Sequence, residues 1–312
     1  MDFKRIDLLY RDILGPFPEK VPLNLETHEE ENCGEFTRSL ISWDNDASER
    51  VHGYLLVPKD RPEKCPAAMA FHGHGAWDMG KKSTAGVDTG DNPSLGPDLA
   101  RRGIVMLCGD AKCWGHRQNP AGEPDGVMYE RTVAMKLLAE GRCMAAQYVW
   151  DAIRQCDVLQ SFDFVDGDRI GALGISMGSG HTWLSAMVEK RIRVLCGISS
   201  FYTYKALWAP PIRHCYMNHV PNVLKYGIET YDLFGLIAPR PFLMINGTTC
   251  EQDPVEPTKE LYEKAKPAWE SHGAGDELQL HLHEAGHGLT PESRVLAYNW
   301  MVDKLNALVP SG

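Results

Sequence analysis

At 312 residues, 43% hydrophobic and 24% charged, the chain has enough apolar material for a substantial core and is too apolar to be disordered. Its formal charge of −10, with no cluster of Lys and Arg, disfavours a nonspecific grip on nucleic acid or on an anionic membrane. The nine cysteines form no CxxC pair and sit mostly in apolar segments such as VMLCGD and VLCGIS, the pattern of reduced core thiols.

The first stretch, MDFKRIDLLYRDILG, mixes acidic with apolar residues and lacks the continuous apolar region of a secretory signal. No later stretch is long and apolar enough to span a bilayer, so a cytoplasmic protein without membrane association is expected. Residues 2–13 predict a short amphipathic helix, followed by the proline-containing GPFPEKVPLNL. Residues 1–35 therefore read as an arm or extension, the segment through which a homo-oligomer would form. EFTRSLIS and RVHGYLLVP then read as strands. Three apolar runs follow, AAMAFHGHG, GIVMLCGD and DRIGALGISMGSG, each ending in residues that suit chemistry better than packing.

The stretch from Tyr129 to Ser161 has no proline and repeats apolar residues at helical spacing, which predicts a crossover helix. Beyond it, HTWLSAMVEK reads as helix, IRVLCGIS and PFLMING as strands, TKELYEKAKPAWES as helix, ELQLHLHE as strand and SRVLAYNWMVDKLNAL as helix. This alternation predicts an α/β domain over 36–312 with a mostly parallel central sheet and helices on both faces. Residues 201–232 break the rhythm with prolines and aromatics. They are expected to form a cap-like insertion beside the carboxyl edge of the sheet, with His214 as a pocket candidate.

Gly174-Ile175-Ser176-Met177-Gly178 is G-x-S-x-G, with a strand before it and a helix after it, so Ser176 is the candidate nucleophile. A serine alkoxide needs a base and a group that orients the base, in the chain order acid then histidine. Asp253, in TTCEQDPVEP, and His287, in AGHGLTPE, both follow predicted strands in that order. Glu251 lies two residues from Asp253 and stays open as the acid. Phe71-His72-Gly73-His74-Gly75 ends an earlier strand as an oxyanion turn would, so the backbone N–H groups of Met177, His74 and Gly75 are the candidate donors. Trp77, Trp114 and Arg117 are candidates for the substrate pocket, although Arg117 also suits a structural pairing with Asp110.

Residues 283–287 read HEAGH, which matches the H-E-x-x-H of zinc proteases. That chemistry needs a helix, so that imidazoles at i and i+4 point together. Here the match begins inside an alternating strand and contains Gly286, with Gly288 and Pro291 close behind, which end a strand better than they continue a helix. His283 and Glu284 are thus expected to be strand-end residues, and no metal or organic cofactor is called for. Among the other histidines, His281 shares the face of His283, His272 suits a helix terminus and His181 a structural position behind the serine.

With these motifs in hand, residues 40–308 resemble α/β-hydrolases of the dienelactone-hydrolase and acetyl xylan esterase-like group. The likeness rests on His72-Gly73-His74-Gly75, on the D-x-x-x-x-G-x-R run from Asp110 to Arg117, and on VDGDRIGALGISMGS. It implies the α/β-hydrolase fold, with Ser176, Asp253 and His287 as nucleophile, acid and base. The nucleophile is serine where dienelactone hydrolases proper have cysteine, so their specific reaction is not implied. The expected activity is hydrolysis of a small-molecule carboxylic ester; a small acyl group is what the likeness implies, since the triad itself sets no acyl size. Amide or peptide hydrolysis with the same triad, and a noncatalytic binding role, remain the alternatives.

Overall fold

Cys65–Phe71 and Val105–Gly109 are apolar on both faces, and such strands are stable only when covered on both sides. They lie at the middle of one sheet. The computed structural model describes residues 3–75, 79–89, 94–122, 126–209 and 215–308. In chain order these form α1 (Phe3–Leu14), β1 (Glu26–Asn32), β2 (Phe36–Asp44), β3 (Arg50–Pro58), β4 (Cys65–Phe71), α2 (Lys81–Ala85), α3 (Leu95–Ala100), β5 (Val105–Gly109), α4 (Gly126–Ala139) and α5 (Met144–Gln160). They continue with β6 (Val165–Ile175), α6 (Met177–Val188), β7 (Ile192–Ile198), α7 (Tyr204–Leu207), α8 (Thr230–Phe234), β8 (Phe242–Gly247), α9 (Val255–Glu270), β9 (Leu278–His283) and α10 (Pro291–Ala307).

The described strands make a nine-stranded sheet in the order β1-β2-β3-β5-β4-β6-β7-β8-β9. The pairs from β1 to β5 are antiparallel, and from β5 through β9 every pair is parallel. Along β4 the side chains alternate between two core layers. Ala67, Met69 and Phe71 pack with α1, α5, α6, α8 and α9, while Ala68 and Ala70 pack with α3 and α10. The chain leaves β4 for β5 on one side and returns to β6 on the other, which opens a crevice at the carboxyl ends of these strands.

The structure adds detail to three of the expected segments. Within the described part of residues 1–35, Tyr10 and Leu14 of α1 are fully buried, and β1 pairs with β2 as the edge strand. β1, ETHEEEN, is exposed along its whole length and carries no apolar period, so pattern reading passes over it; its glutamates blunt an edge that would otherwise invite pairing. The helix expected over Tyr129–Ser161 is two helices, α4 and α5, because Gly141 turns at φ 73 and Cys143 is extended at the start of α5. Within residues 201–232, of which 210–214 lie outside the described residues, Tyr202 meets Trp183 edge-on at 5.9 Å and Met217 is fully buried, while Trp208, Leu224 and Tyr226 are exposed.

A buried ion-pair network ties the loop after β5 to the turn after β2 and to α5. The Arg117 guanidinium lies 2.6 Å from Glu49 and 2.5 Å from Asp151, and donates to the Asp110 carbonyl at 3.0 Å. Asn45 donates to Asp151 at 2.8 Å. Burial raises the Glu49 carboxyl, but Arg117 and Lys112 outweigh it and hold the group at about 2. Arg117→Ala leaves Asp151 charged and buried without a cation, and should cost about 3–5 kcal/mol in urea unfolding. The double variant Arg117→Met/Asp151→Leu should lose less than Arg117→Ala alone.

Candidate active site

One residue, Ser176, separates β6 from α6, and its backbone stands at φ 57, ψ −121. A non-glycine residue there is strained by about 1–3 kcal/mol, so the surroundings must impose the turn. They do so by close approach: a Cβ on Gly174 would stand 2.3 Å from the Gly178 carbonyl carbon, and one on Gly178 would stand 2.0 Å from the Phe71 oxygen. The Ser176 N–H also donates to the Ile198 carbonyl at 2.7 Å, fixing the turn to β7. Met177 begins α6, every residue of which is buried. Its N–H therefore belongs to the unpaired first turn of a helix, where negative charge is favoured.

The His72–Gly75 turn lies against this serine, since the Cβ position of Gly73 is 3.7 Å from the Ser176 Cβ. Two side chains anchor the turn. His72 accepts from the Ala111 N–H through Nε2 at 3.1 Å and donates to the Gly73 carbonyl through Nδ1 at 2.9 Å, a neutral tautomer in keeping with burial lowering its pKa. His74 meets the fully buried Glu130 at 2.8 Å and stands edge-on to Trp114 at 5.2 Å. Burial raises the Glu130 carboxyl, and His74 works against that rise. Glu130 was not identifiable from the sequence, because it sits in a helix without a motif.

β8 and β9 are parallel neighbours, so the loops that follow them leave the same edge side by side. Thr248 N–H donates to the His283 carbonyl at 2.9 Å and Thr249 N–H to that of Ala285 at 3.2 Å, joining the two loops. Across this join, His287 Nδ1 lies 3.1 Å from Asp253 Oδ2. Asp253 is buried, and the fully buried Asn246 donates to its carbonyl at 3.0 Å. Glu251, the other carboxylate left open by the sequence, is exposed. Beyond His287, a capping box between Thr290 and Ser293 starts α10 and holds the far end of the loop. Gly288 brings this loop to the residue that precedes Ser176: its Cβ position is 3.7 Å from Ile175 Cδ1.

Burial disfavours the charged His287 ring, but the hydrogen bond it donates to Asp253, a contact with Cys250 and the Asp253 charge together raise its pKa to about 9. Cys250 went unremarked as a site residue in the sequence. It lies 3.4 Å from His287 Nδ1, 3.8 Å from Asp253 Oδ2, and accepts from the Asp253 N–H at 3.2 Å. Both of these His287 contacts use Nδ1.

Two pocket candidates are corrected. Trp114 is fully buried, and Arg117 is spent in the ion-pair network, so neither presents a surface to a ligand. The Asp110 carboxylate pairs with Lys81 at 2.6 Å and accepts from the His116 N–H, so it holds its own loop. Trp77 and His214 lie outside the described residues. The HEAGH run is not helical: His283 closes β9 and its Nε2 meets the Gly288 carbonyl at 3.0 Å, while Glu284 is exposed. His181 is buried against the Tyr148 carbonyl at 2.7 Å, and His272 meets the Ala268 carbonyl at the end of α9. A cavity of about 480 Å³ opens beside the serine turn, lined by Ile175, Leu289, Leu95 and Tyr298, with Arg294 and Asp88 as charged groups.

No family model matches the chain. It is 28% identical over 291 residues to YtaP of Bacillus subtilis strain 168, a provisionally assigned hydrolase, covering 92% of this chain and 94% of that protein. Among solved structures it is similar to a Bacteroides fragilis NCTC 9343 protein provisionally described as an acetyl xylan esterase, with TM-score 0.75, 15% identity, and 96% and 81% of the two chains covered. It is also similar to the glucuronoyl esterase of Solibacter usitatus, with TM-score 0.70, 17% identity, and 96% and 91% covered. Acetyl xylan esterase 1 of Thermoanaerobacterium sp. JW/SL YS485 gives TM-score 0.66 at 16% identity, with 97% and 93% covered. The chain has the α/β-hydrolase fold. No described helix is long and apolar enough to cross a membrane.

The raised His287 pKa fixes a sign. Because the folded value lies above the ordinary 6.5, the His287–Asp253 pair adds stability below that pH and loses it as pH rises through about 9. An NMR titration should place the His287 ring near 9, and Asp253→Asn should move it downward; an unchanged midpoint would remove Asp253 as its cause.

Proposed function

We propose that this α/β-hydrolase-fold chain is a serine-dependent hydrolase of carboxylic esters with a small acyl group. The observation that carries the reading is the Asp253–His287 pair at 3.1 Å, held in loops that reach the strained Ser176 turn. In this reading the neutral form of His287, which gains population as pH rises toward about 9, takes the Ser176 hydroxyl proton on Nε2 as Oγ attacks the ester carbonyl. Asp253 holds Nδ1–H and stabilises the imidazolium that results. The carbonyl π pair moves to oxygen, which accepts from the Met177 N–H and from an N–H of the His74–Gly75 turn.

Collapse of the tetrahedral intermediate expels the alcohol, which takes its proton from His287 Nε2. Water then repeats the sequence on the acyl-enzyme and releases the acid with Ser176 restored. All the required groups are side chains and amides of this chain, so the reading calls for no cofactor. The cavity beside Ile175 supports an apolar acyl or alcohol group. The names of the similar structures, acetyl xylan esterases and a glucuronoyl esterase, support an acylated or esterified carbohydrate as the substrate class.

A fluorophosphonate should give one adduct, at Ser176, in folded but not denatured protein. Ser176→Ala should abolish the adduct and lower ester turnover by at least about 10⁴-fold, and Asp253→Asn should lower it by about 10⁴-fold. Glu251→Gln should change turnover less than twofold. Equal turnover of aminoacyl anilides and acyl esters would replace the ester reading with an amide hydrolase, and labelling that survives Ser176→Ala would remove the proposed nucleophile.

A further inference from the structure

The donor set around His287 is not explained by hydrolysis, which needs the Asp253 carboxylate and the imidazole but no thiol. Cys250, buried in the same loop as Asp253, puts a sulfur next to both. The three donor atoms lie within 4.8 Å of one another and combine one thiol, one imidazole and one carboxylate. Zinc binds such donors at about 2.3 Å to sulfur, about 2.0–2.1 Å to nitrogen and about 2.0–2.2 Å to oxygen in tetrahedral geometry. Any two corners of that tetrahedron are then roughly 3.3–3.6 Å apart. The observed edges are 3.1 Å from nitrogen to oxygen, 3.4 Å from sulfur to nitrogen and 3.8 Å from sulfur to oxygen. All three approximate one face of the coordination shell, and small side-chain shifts complete it. The His287 side chain keeps 26% of its surface exposed, which gives an ion a way in and a water a place at the fourth corner.

We propose that Cys250, Asp253 and His287 form an inhibitory site for a thiophilic divalent cation such as Zn²⁺. The ion binds to Cys250 Sγ, Asp253 Oδ2 and His287 Nδ1 with one water. Cys250 gives its S–H proton to solvent, and the proton on Nδ1 moves to Nε2 or to solvent, so that the freed electron pairs bind the metal. No redox change occurs. The ion displaces the Nδ1–H contact to Asp253 and fixes the imidazole with its proton on Nε2, the tautomer that cannot accept a proton from Ser176. Binding rests on the geometry alone; inhibition rests on the base role proposed for His287. This set differs from HEAGH, since His283 is engaged with the Gly288 carbonyl and takes no part.

The test uses the full chain freed of metal by a chelator that is then removed, titrated with Zn²⁺ alone by calorimetry and with Co²⁺ by absorption. The expected result is one saturable site, proton release on binding, and a thiolate-to-Co²⁺ charge-transfer band with tetrahedral d–d intensity. Cys250→Ala and Cys250→Ser should each weaken Zn²⁺ binding at least tenfold and abolish that band, with folding checked by circular dichroism. Cys33→Ser, which removes the half-buried thiol elsewhere, should change neither. Fluorophosphonate labelling of Ser176 should fall as Zn²⁺ saturates the wild-type site and should resist Zn²⁺ in Cys250→Ala. No saturable site, or equal binding and the same band in the Cys250 variants, overturns the proposal. Cys250-dependent binding with labelling undiminished keeps the metal site and overturns the base role of His287 instead.

Discussion

The structure depends on one strained residue. Ser176 is held at a positive φ between a central strand and a fully buried helix, and no side chain of its own stabilises that conformation. The turn persists because its neighbours leave no other path: Gly174 and Gly178 let strand, helix and the Phe71 backbone approach to distances that any Cβ would forbid. A strain of about 1–3 kcal/mol is small beside the burial of α6 against both β6 and β7, so packing decides the geometry and the serine follows.

Around that point the sheet acts as a ruler. Parallel neighbours end at the same edge, and the loops after β4, β6, β8 and β9 therefore converge although they lie far apart in the chain. The loops are stiffened by different means. Buried histidine contacts hold the His72–Gly75 turn, an aspartate–lysine pair holds the segment after β5, and backbone hydrogen bonds join the acid loop to the base loop. In the proposed reaction each would fix a backbone whose amides or side chains must be in place before a substrate arrives, as electrostatic preorganisation requires.

The same stiffness has a consequence for the acid–base pair. A buried carboxylate holds its imidazole firmly, and any donor packed into the same space, as Cys250 is, joins the pair's electrostatics. Cys250 occupies that space because the loop between β8 and α9 folds back over Asp253, with the sulfur accepting from the Asp253 N–H. A thiol there reads as packing in the sequence and as a third ligand atom in space.

Local chemistry was legible in the letters wherever a short pattern dictates a backbone. The strand-turn-helix context of Gly174–Gly178, the order of Ser176, Asp253 and His287, the strand end at HEAGH and the capping place of His272 all follow from propensity and spacing. The sequence could not separate Asp253 from Glu251, since both carboxylates fit one loop; burial and a 3.1 Å approach distinguish them only in space. It left Arg117 and Trp114 as candidates either for a ligand or for packing because they share an edge with the serine, whereas direction into the core depends on Glu49, Asp151 and His74, which no spacing links to them. β1 escaped notice because an exposed edge strand has no apolar period. What the sequence by itself determined is the set of turns and of candidate site residues, which are local; which of those residues meet was decided by the tertiary structure, because contacts across parallel strands depend on sheet order and not on separation along the chain.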